Sequence, residues 1–223
     1  MPDFALARRN MVDSQIRTKD ITDARVIRAF DRVPREQFLP AELAARAYID
    51  EDVRVLDGGE DGLDRYVMEP VPLGALLQLA DLRADDIVLD VGCATGYSSA
   101  LLSLLCSSVV ALECDEALAE RATAALSDGG YDNAVVVAGP LPEGWASEGP
   151  YDAILIGGAV DVVPDALIDQ LREGGRLVCV EGEGLTGEAF LYLKRDGIVG
   201  KRPAFNAAVQ PLPGFQREAE FVF

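Results

Sequence analysis

From residue 86 onward the chain alternates two apolar patterns. Short aliphatic runs, IVLDV (87–91), SSVVALE (107–113), NAVVVAG (133–139), YDAILIGGA (151–159) and RLVCVEG (176–182), are separated by stretches of helical spacing, YSSALLSLL (97–105), EALAERATAAL (116–126) and VPDALIDQLREGG (163–175). Near-continuous apolar runs mark strands buried on both faces, as in a parallel sheet covered by helices. The order predicts βαβαβ units and a doubly wound α/β architecture. Beyond Gly187, FLYLK (190–194), a turn at 195–197 and a final AEFVF (219–223) predict antiparallel strands at one edge of the sheet.

The first 80 residues carry a different pattern. Phe4, Leu6, Met11 and Ile16 keep roughly helical spacing, and Thr22 with Asp23 can cap a helix carrying Val26, Ile27 and Phe30. Pro34 and Pro40 then punctuate the chain beyond that helix. The chain is therefore divided into an N-terminal helical extension with a lid (1–80) and an α/β core (81–223), packed together as one structural domain. At 223 residues there is room for one sizeable core.

Charge and composition narrow the function. A formal net charge of -18 repels phosphate backbones and anionic lipid, so nucleic acid and membrane surfaces are excluded as partners, leaving small molecules and proteins. With no histidine, imidazole-based triads and metal sites drop out. Cys93, Cys106, Cys114 and Cys179 form no CxxC pair, and most fall in apolar runs, which predicts buried reduced thiols in a cytoplasmic protein. MPDFALARRNMVDSQIR breaks its apolar residues with Arg and Asp, so it lacks the continuous apolar centre of a signal peptide. Residues 91–112 carry no charge, yet Gly92, Thr95, Gly96, Tyr97 and several serines interrupt them, and they divide better into strand end, turn, helix and strand than into a membrane helix.

The strand VLDV runs into Gly92-Cys93-Ala94-Thr95-Gly96 and then a helix, which puts the loop where an open α/β sheet has its ligand crevice. Gly92 permits a tight turn, and free amides at the start of the next helix can meet a carboxylate or hydroxyl. Glu113 stands at the end of the second strand, about 20 residues on, the spacing of an acid that accepts both hydroxyls of a ribose. The dinucleotide fingerprint fails, since positions 92, 94 and 97 are Gly, Ala and Tyr. Asp90 suits a ligand's ammonium or sulfonium rather than a pyrophosphate, favouring S-adenosylmethionine over NAD. Singly, Gly92 and Gly96 also read as a plain strand-to-helix turn and Glu113 as a solvated strand end; Glu116, beyond that end, is expected to face solvent.

VPREQFLP (33–40), AYIDE (47–51), VLDVGCATGYSSALLS (88–103), GPYDAILIGGA (149–159) and VPDALIDQLREGGRLV (163–178) together resemble the protein-L-isoaspartate O-methyltransferase family over most of the chain, in family order. The resemblance implies a class I methyltransferase (Rossmann-like) sheet that binds S-adenosyl-L-methionine and methylates a carboxylate of a damaged aspartyl residue in a protein or peptide. It assigns Asp90, Gly92, Cys93, Ala94, Gly96, Glu113 and Cys114 to the cofactor. Where the family carries Gly-Asp-Gly after the third strand, with an acid for the adenine amino group, this chain has Gly139-Pro140-Leu141. Where the family reads Gly-Gln-Thr-Ile-Ser-Gln-Pro on the acceptor side, this chain reads DRYVMEP (64–70), with Tyr66 for the threonine and Met68 for the serine that contacts the accepting carboxylate.

Tyr66 and Met68 thus occupy the acceptor-side lip, either packing a lid or shaping the pocket, with the Tyr66 hydroxyl near the place of the serine's. Arg65 and Arg35 are candidates for offsetting the acidic field around an anionic acceptor, although each alone reads as a solvated surface arginine. A cofactor-binding or interaction protein that keeps the fold and has lost methyl transfer is the competing expectation, suggested by Met68 and Pro140.

Overall fold

The computed structural model describes residues 3–59, 62–183 and 186–216. Helix α1 (Phe4–Met11), with the Asp3 carboxylate accepting from the Leu6 amide, continues into a π-helical turn over Val12–Ile16. Asp23 caps α2 (Ala24–Arg32), accepting from the Arg25 amide at 2.7 Å, as the sequence led us to expect. Short 3-10 turns come after Pro34 and Pro40. Strands β1 (Val53–Leu56) and β2 (Arg65–Val67) form an antiparallel hairpin outside the main sheet, and α3 (Pro70–Leu79) leads into the core.

The core runs β3 (Ile87–Val91), α4 (Tyr97–Ser103), β4 (Ser108–Glu113), α5 (Glu116–Asp128), β5 (Ala134–Ala138), β6 (Tyr151–Val160), α6 (Asp165–Asp169), β7 (Leu171–Glu183), β8 (Thr186–Arg195) and β9 (Ile198–Ala207). The seven-stranded sheet has the order β5-β4-β3-β6-β7-β8-β9, parallel through β7 and antiparallel at β8 and β9. This is the doubly wound, mostly parallel architecture read from the sequence. Residues 91–112 divide into strand end, turn, helix and strand, and among the described residues no helix is long and apolar enough to cross a membrane.

Two elements differ from expectation. The segment 163–175 is helical only over Asp165–Asp169, because the Gln170 carbonyl is taken by the Tyr151 amide and the chain enters β7 at Leu171. The partner of β8 is β9, whereas AEFVF lies outside the described residues. Gly200, Lys201, Arg202 and Pro203 disguise β9 in the sequence; it is an edge strand, and Pro203 sits at a register shift, where a missing N–H is tolerated.

One face of the sheet shares a buried cluster with the N-terminal segment, in which Met11, Ile16, Phe30 and Leu76 pack with Val88, Leu101 and Val178. Leu89, Val91, Ile154, Ile156 and Leu177 form the opposite cluster. Each such side chain contributes about 1.5–3 kcal/mol when fully buried. Strand order reverses between β3 and β6, so the crevice for a ligand lies outside their carboxyl ends.

Candidate functional site

The turn after β3 is built from residues that leave ordinary backbone space: φ is +81 at Gly92, +50 at Ala94 and +92 at Gly96. Gly96 also lets α4 approach α5, since a Cβ there would stand 3.3 Å from Ala122 and Leu126. The turn's amides are spent internally. Gly92 and Cys93 donate to the Leu112 carbonyl, Gly96 donates to that of Cys93, and Ala94 donates to the Glu113 carboxylate at 2.7 Å. These four loop amides are therefore taken, whereas the amides expected to stand free belong to the first turn of α4, which begins at Tyr97.

Asp90, at the end of β3, is fully buried; Ser98 and Ser99 donate to one of its oxygens at 2.7 and 2.6 Å, and the other oxygen has no partner. Burial, only partly offset by the two hydroxyls, pushes this carboxyl up to about 6. The two serines were missed in the sequence; a Ser-Ser pair eight and nine residues after a strand-end acid, opening the next helix, is the signal that marks them.

Glu113 is not a solvated strand end, for it is fully buried. One of its oxygens accepts from the amides of Cys114 (3.0 Å) and Asp115 (3.3 Å) and from Arg65 Nε (3.3 Å), and the other from Arg65 Nη2 (2.6 Å) and the Ala94 amide (2.7 Å). The Cys114 thiol adds a weak contact at 3.4 Å and, half-buried, is pushed up to about 12 by burial. A carboxylate offers about four lone-pair sites, and these donors already use them. Cys93 is buried, and desolvation holds its thiol well above the usual range. Glu116 faces solvent, as expected.

Arg65 and Arg35 overturn the surface reading. Arg65 reaches from β2 into the crevice and pairs with Glu113; burial pulls its guanidinium down, but the Glu113 charge outweighs this and the net direction is up. Arg35 is fully buried, donates to the carbonyls of Met68 (2.6 Å) and Val67 (3.3 Å), and lies over the Tyr97 ring at 5.0 Å. Burial draws it below its ordinary value. Neither is solvated because each has a buried acceptor that needs a donor.

On the lip, Met68 is buried and Tyr66 half-buried; the Tyr66 hydroxyl donates to Asp64 at 3.2 Å. The Glu69 amide donates to Asp52 at 2.8 Å, and Glu69, half-buried beside Asp52 and Asp50, is pushed up to about 7 by burial and those charges. On the far side of the turn, Gly139 donates to the Glu113 carbonyl, a Cβ on it would meet the Trp145 ring at 3.1 Å, and Leu141 is buried. Pro140 has no N–H and no polar side-chain atom, so the adenine contact expected of this position has no donor or acceptor side chain here.

A further feature was missed in the sequence. Residues 209–212 lie against the end of β6, with the Ala159 amide donating to the Gln210 carbonyl and the Leu212 amide to the Ala159 carbonyl, both at 2.9 Å. A Cβ on Gly92 would stand 2.8 Å, and one on Gly158 2.7 Å, from Leu212 side-chain carbons. Leu212 and Phe215, three apart in a Pro- and Gly-rich segment, were the available signal.

S-adenosylmethionine is thus matched in kind but not in space. An unpartnered acid oxygen, a glycine cradle and a strand-end glutamate are present, but Arg65 and Leu212 fill the volume between them. The cavities left there measure about 10 and 20 Å³, against roughly 300–1,000 Å³ for ligand pockets. A larger groove, about 870 Å³, is lined by Thr18–Ile21, α3 and β9, with no residue of the β3 turn. In this arrangement the residues fit the group in kind, and Arg65 and Leu212 take the space beside them.

The family described as protein-L-isoaspartate(D-aspartate) O-methyltransferase matches residues 7–207. A protein-L-isoaspartate O-methyltransferase of Koribacter versatilis is 35% identical over 213 residues, covering 96% of this chain and 93% of its own. One of Methanoculleus marisnigri is 34% identical over 207 residues, 93% of this chain and 91% of its own. A solved protein-L-isoaspartate O-methyltransferase superposes with a TM-score of 0.80 at 26% identity, over 93% of this chain and 66% of that one. A putative enzyme of that name from Plasmodium falciparum, in complex with S-adenosyl-L-homocysteine, gives 0.75 at 20% identity over 94% and 98%, a likeness of fold alone.

Proposed function

The chain belongs to the protein-L-isoaspartate O-methyltransferase family, and from that premise we propose that it is an S-adenosylmethionine-dependent O-methyltransferase that esterifies L-isoaspartyl carboxylates in proteins and peptides. The observation that carries this reading is the family match over residues 7–207, which includes both the β3 turn and the acceptor side. An isoaspartyl carboxylate, whose ordinary pKa is about 4, is already ionised at neutral pH and asks for no general base, so the lack of histidine is no obstacle. In this reading residues 1–80 supply the acceptor-side lid, with Tyr66 and Met68 at its lip. Residues 81–223 supply the cofactor side, with Asp90, Gly92, Cys93, Ala94, Gly96, Glu113, Cys114, Gly139 and Pro140. The cytoplasm is its place of work, in keeping with four free thiols, three of them buried.

A labelled-methyl transfer assay on an isoaspartyl peptide, with the normal aspartyl peptide as control, tests the reading. Transfer to the first alone supports it. Met68 cannot donate the hydrogen bond of the family's serine, so the rate should fall, at most by on the order of 10²- to 10³-fold, the loss seen when one preorganised donor is removed. A second reading, a member that has lost methyl transfer and acts by binding, is favoured by the filled crevice. No labelled product on isoaspartyl, aspartyl or mixed protein acceptors would select it.

A further inference from the structure

Resting on the reading that this chain takes S-adenosylmethionine, we infer that Arg65 and Leu212 form an internal plug that occupies the cofactor's seat and has to leave it before the ligand enters. Two glycines, Gly92 and Gly158, stand without side chains where β3 and β6 meet the crevice, the arrangement that keeps room for a ligand. That room is taken by the chain itself: Leu212 carbons stand within 2.8 Å of a Cβ built on Gly92 or Gly158, and Arg65 Nη2 within 3.4 Å of the one on Gly92.

The two plugging side chains answer the two characters of the seat. The guanidinium of Arg65 neutralises Glu113 with a buried pair at 2.6 Å, where a ligand's ribose hydroxyls would otherwise be the donors. Leu212 covers the apolar cradle. The second oxygen of Asp90 stays unsatisfied while the plug is in place, as do the buried hydroxyls of Thr95 in the same turn and of Tyr97 beside it. A buried acid left half-paired is the mark of a position that expects a further donor or a positive charge.

The elements that carry the plug have few backbone ties to the main sheet. The β1–β2 hairpin forms its own two-stranded sheet with a register shift between Arg54 and Leu56, and residues 209–212 join the main sheet by a single bridge, Ala159 to Pro211. Elements with few backbone ties open at lower free energy than the sheet they cover. Apparent affinity is then reduced by the fraction of molecules that are open, so that weakening the plug tightens binding.

The test is calorimetric titration of the full chain with S-adenosylhomocysteine, for the wild type, Arg65→Gln and Leu212→Ala, with folding checked by circular dichroism. Arg65→Gln should bind at least tenfold more tightly than the wild type, and Leu212→Ala, which keeps the ion pair, severalfold more tightly. Wild-type binding as tight as that of both variants, or weaker binding by Arg65→Gln, would overturn the plug, since Arg65 would then be a bystander or a ligand contact. Absence of binding in all three would overturn it too.

Should Arg65→Gln fail to fold, hydrogen exchange on the wild type decides. Added ligand should speed exchange of the Leu212 amide, now bonded to Ala159, and unchanged exchange at saturating ligand would refute the inference. The transfer assay separates this from the function itself. Variants that bind tightly yet transfer no methyl leave the plug standing and the function refuted, whereas a wild type that transfers methyl and binds no less tightly than Arg65→Gln does the reverse.

Discussion

The strand wall of the crevice, from β3 to β4, and its cover, the β1–β2 hairpin with residues 209–215, are held in unlike ways. The wall is fixed by parallel pairing of β3 with both β4 and β6 and by apolar burial on both faces. The cover adds to its apolar burial, at Val53, Val67, Met68, Leu212 and Phe215, two buried arginines, Arg65 on Glu113 and Arg35 on the carbonyls of Val67 and Met68. Apolar burial is indifferent to single charges, whereas a buried ion is stable only while its partner stays. The wall should therefore tolerate charge changes that release the cover.

The largest effect expected is at their junction. Glu113→Ala leaves the Arg65 guanidinium buried without a counter-charge and should cost about 3–5 kcal/mol in urea unfolding. Glu116→Ala, three residues on and exposed, should stay within about 0.5 kcal/mol. Equal costs would show that the pair does not hold cover to wall.

Next comes Asp90, inside the wall. Burial raises its carboxyl from 3.8 to about 6, so between these values the folded protein keeps a proton that the unfolded chain has lost. Stability therefore falls as pH rises from about 4 to about 6, and above 6 the full penalty, about 3 kcal/mol, is in force. Asp90→Asn removes this contribution, and the difference between variant and wild type should grow with pH through that window and then level off. A difference independent of pH would mean that Asp90 is ionised at no cost.

The same contrast explains what the sequence made legible. IVLDV, SSVVALE and NAVVVAG announce β3, β4 and β5 because strands buried on both faces must be apolar throughout. The turn at 92–96 is readable because glycine at positive φ leaves a trace in composition. The cover leaves none of these signals. Arg65 looked solvated because β2 is three residues long, too short to establish that Arg65 and Val67 share an inward face. Had that alternation been recognised, an inward arginine would have required an acid, and Glu113 was at hand. Leu212 sits in PLPGF, where prolines and glycine announce a loop and conceal that one side chain is a core residue. The β9 strand is hidden for the reason that makes it an edge: Pro203 and exposed cations keep it from pairing further.

A smaller effect is expected at the cover's second support. Arg35→Met keeps an apolar body over Tyr97 but leaves the Met68 and Val67 carbonyls without their donor, which should cost about 2 kcal/mol. The loss should appear in denaturant unfolding at neutral and acidic pH alike, since arginine does not titrate there. A neutral outcome would shift the weight of the cover onto Arg65 alone.

The smallest effect separates packing from chemistry at the lip. The Tyr66 hydroxyl donates to Asp64 at 3.2 Å, and Asp64 also accepts from the Gly58 amide at 2.9 Å and from Arg54 at 3.1 Å, so it stays satisfied without the tyrosine. Asp64 lies on the hairpin's outer side, where screening by water makes single polar contacts worth little. Tyr66→Phe should therefore change stability by less than about 0.5 kcal/mol and, because its hydroxyl is turned to Asp64 rather than standing in for the family's serine, should change methyl transfer less than about threefold. Paired measurements of unfolding and of transfer to the isoaspartyl peptide check both. A tenfold fall in transfer at unchanged stability would mean that the hydroxyl leaves Asp64 for the acceptor when the cover rearranges, and would make Tyr66 part of the acceptor site instead of its packing.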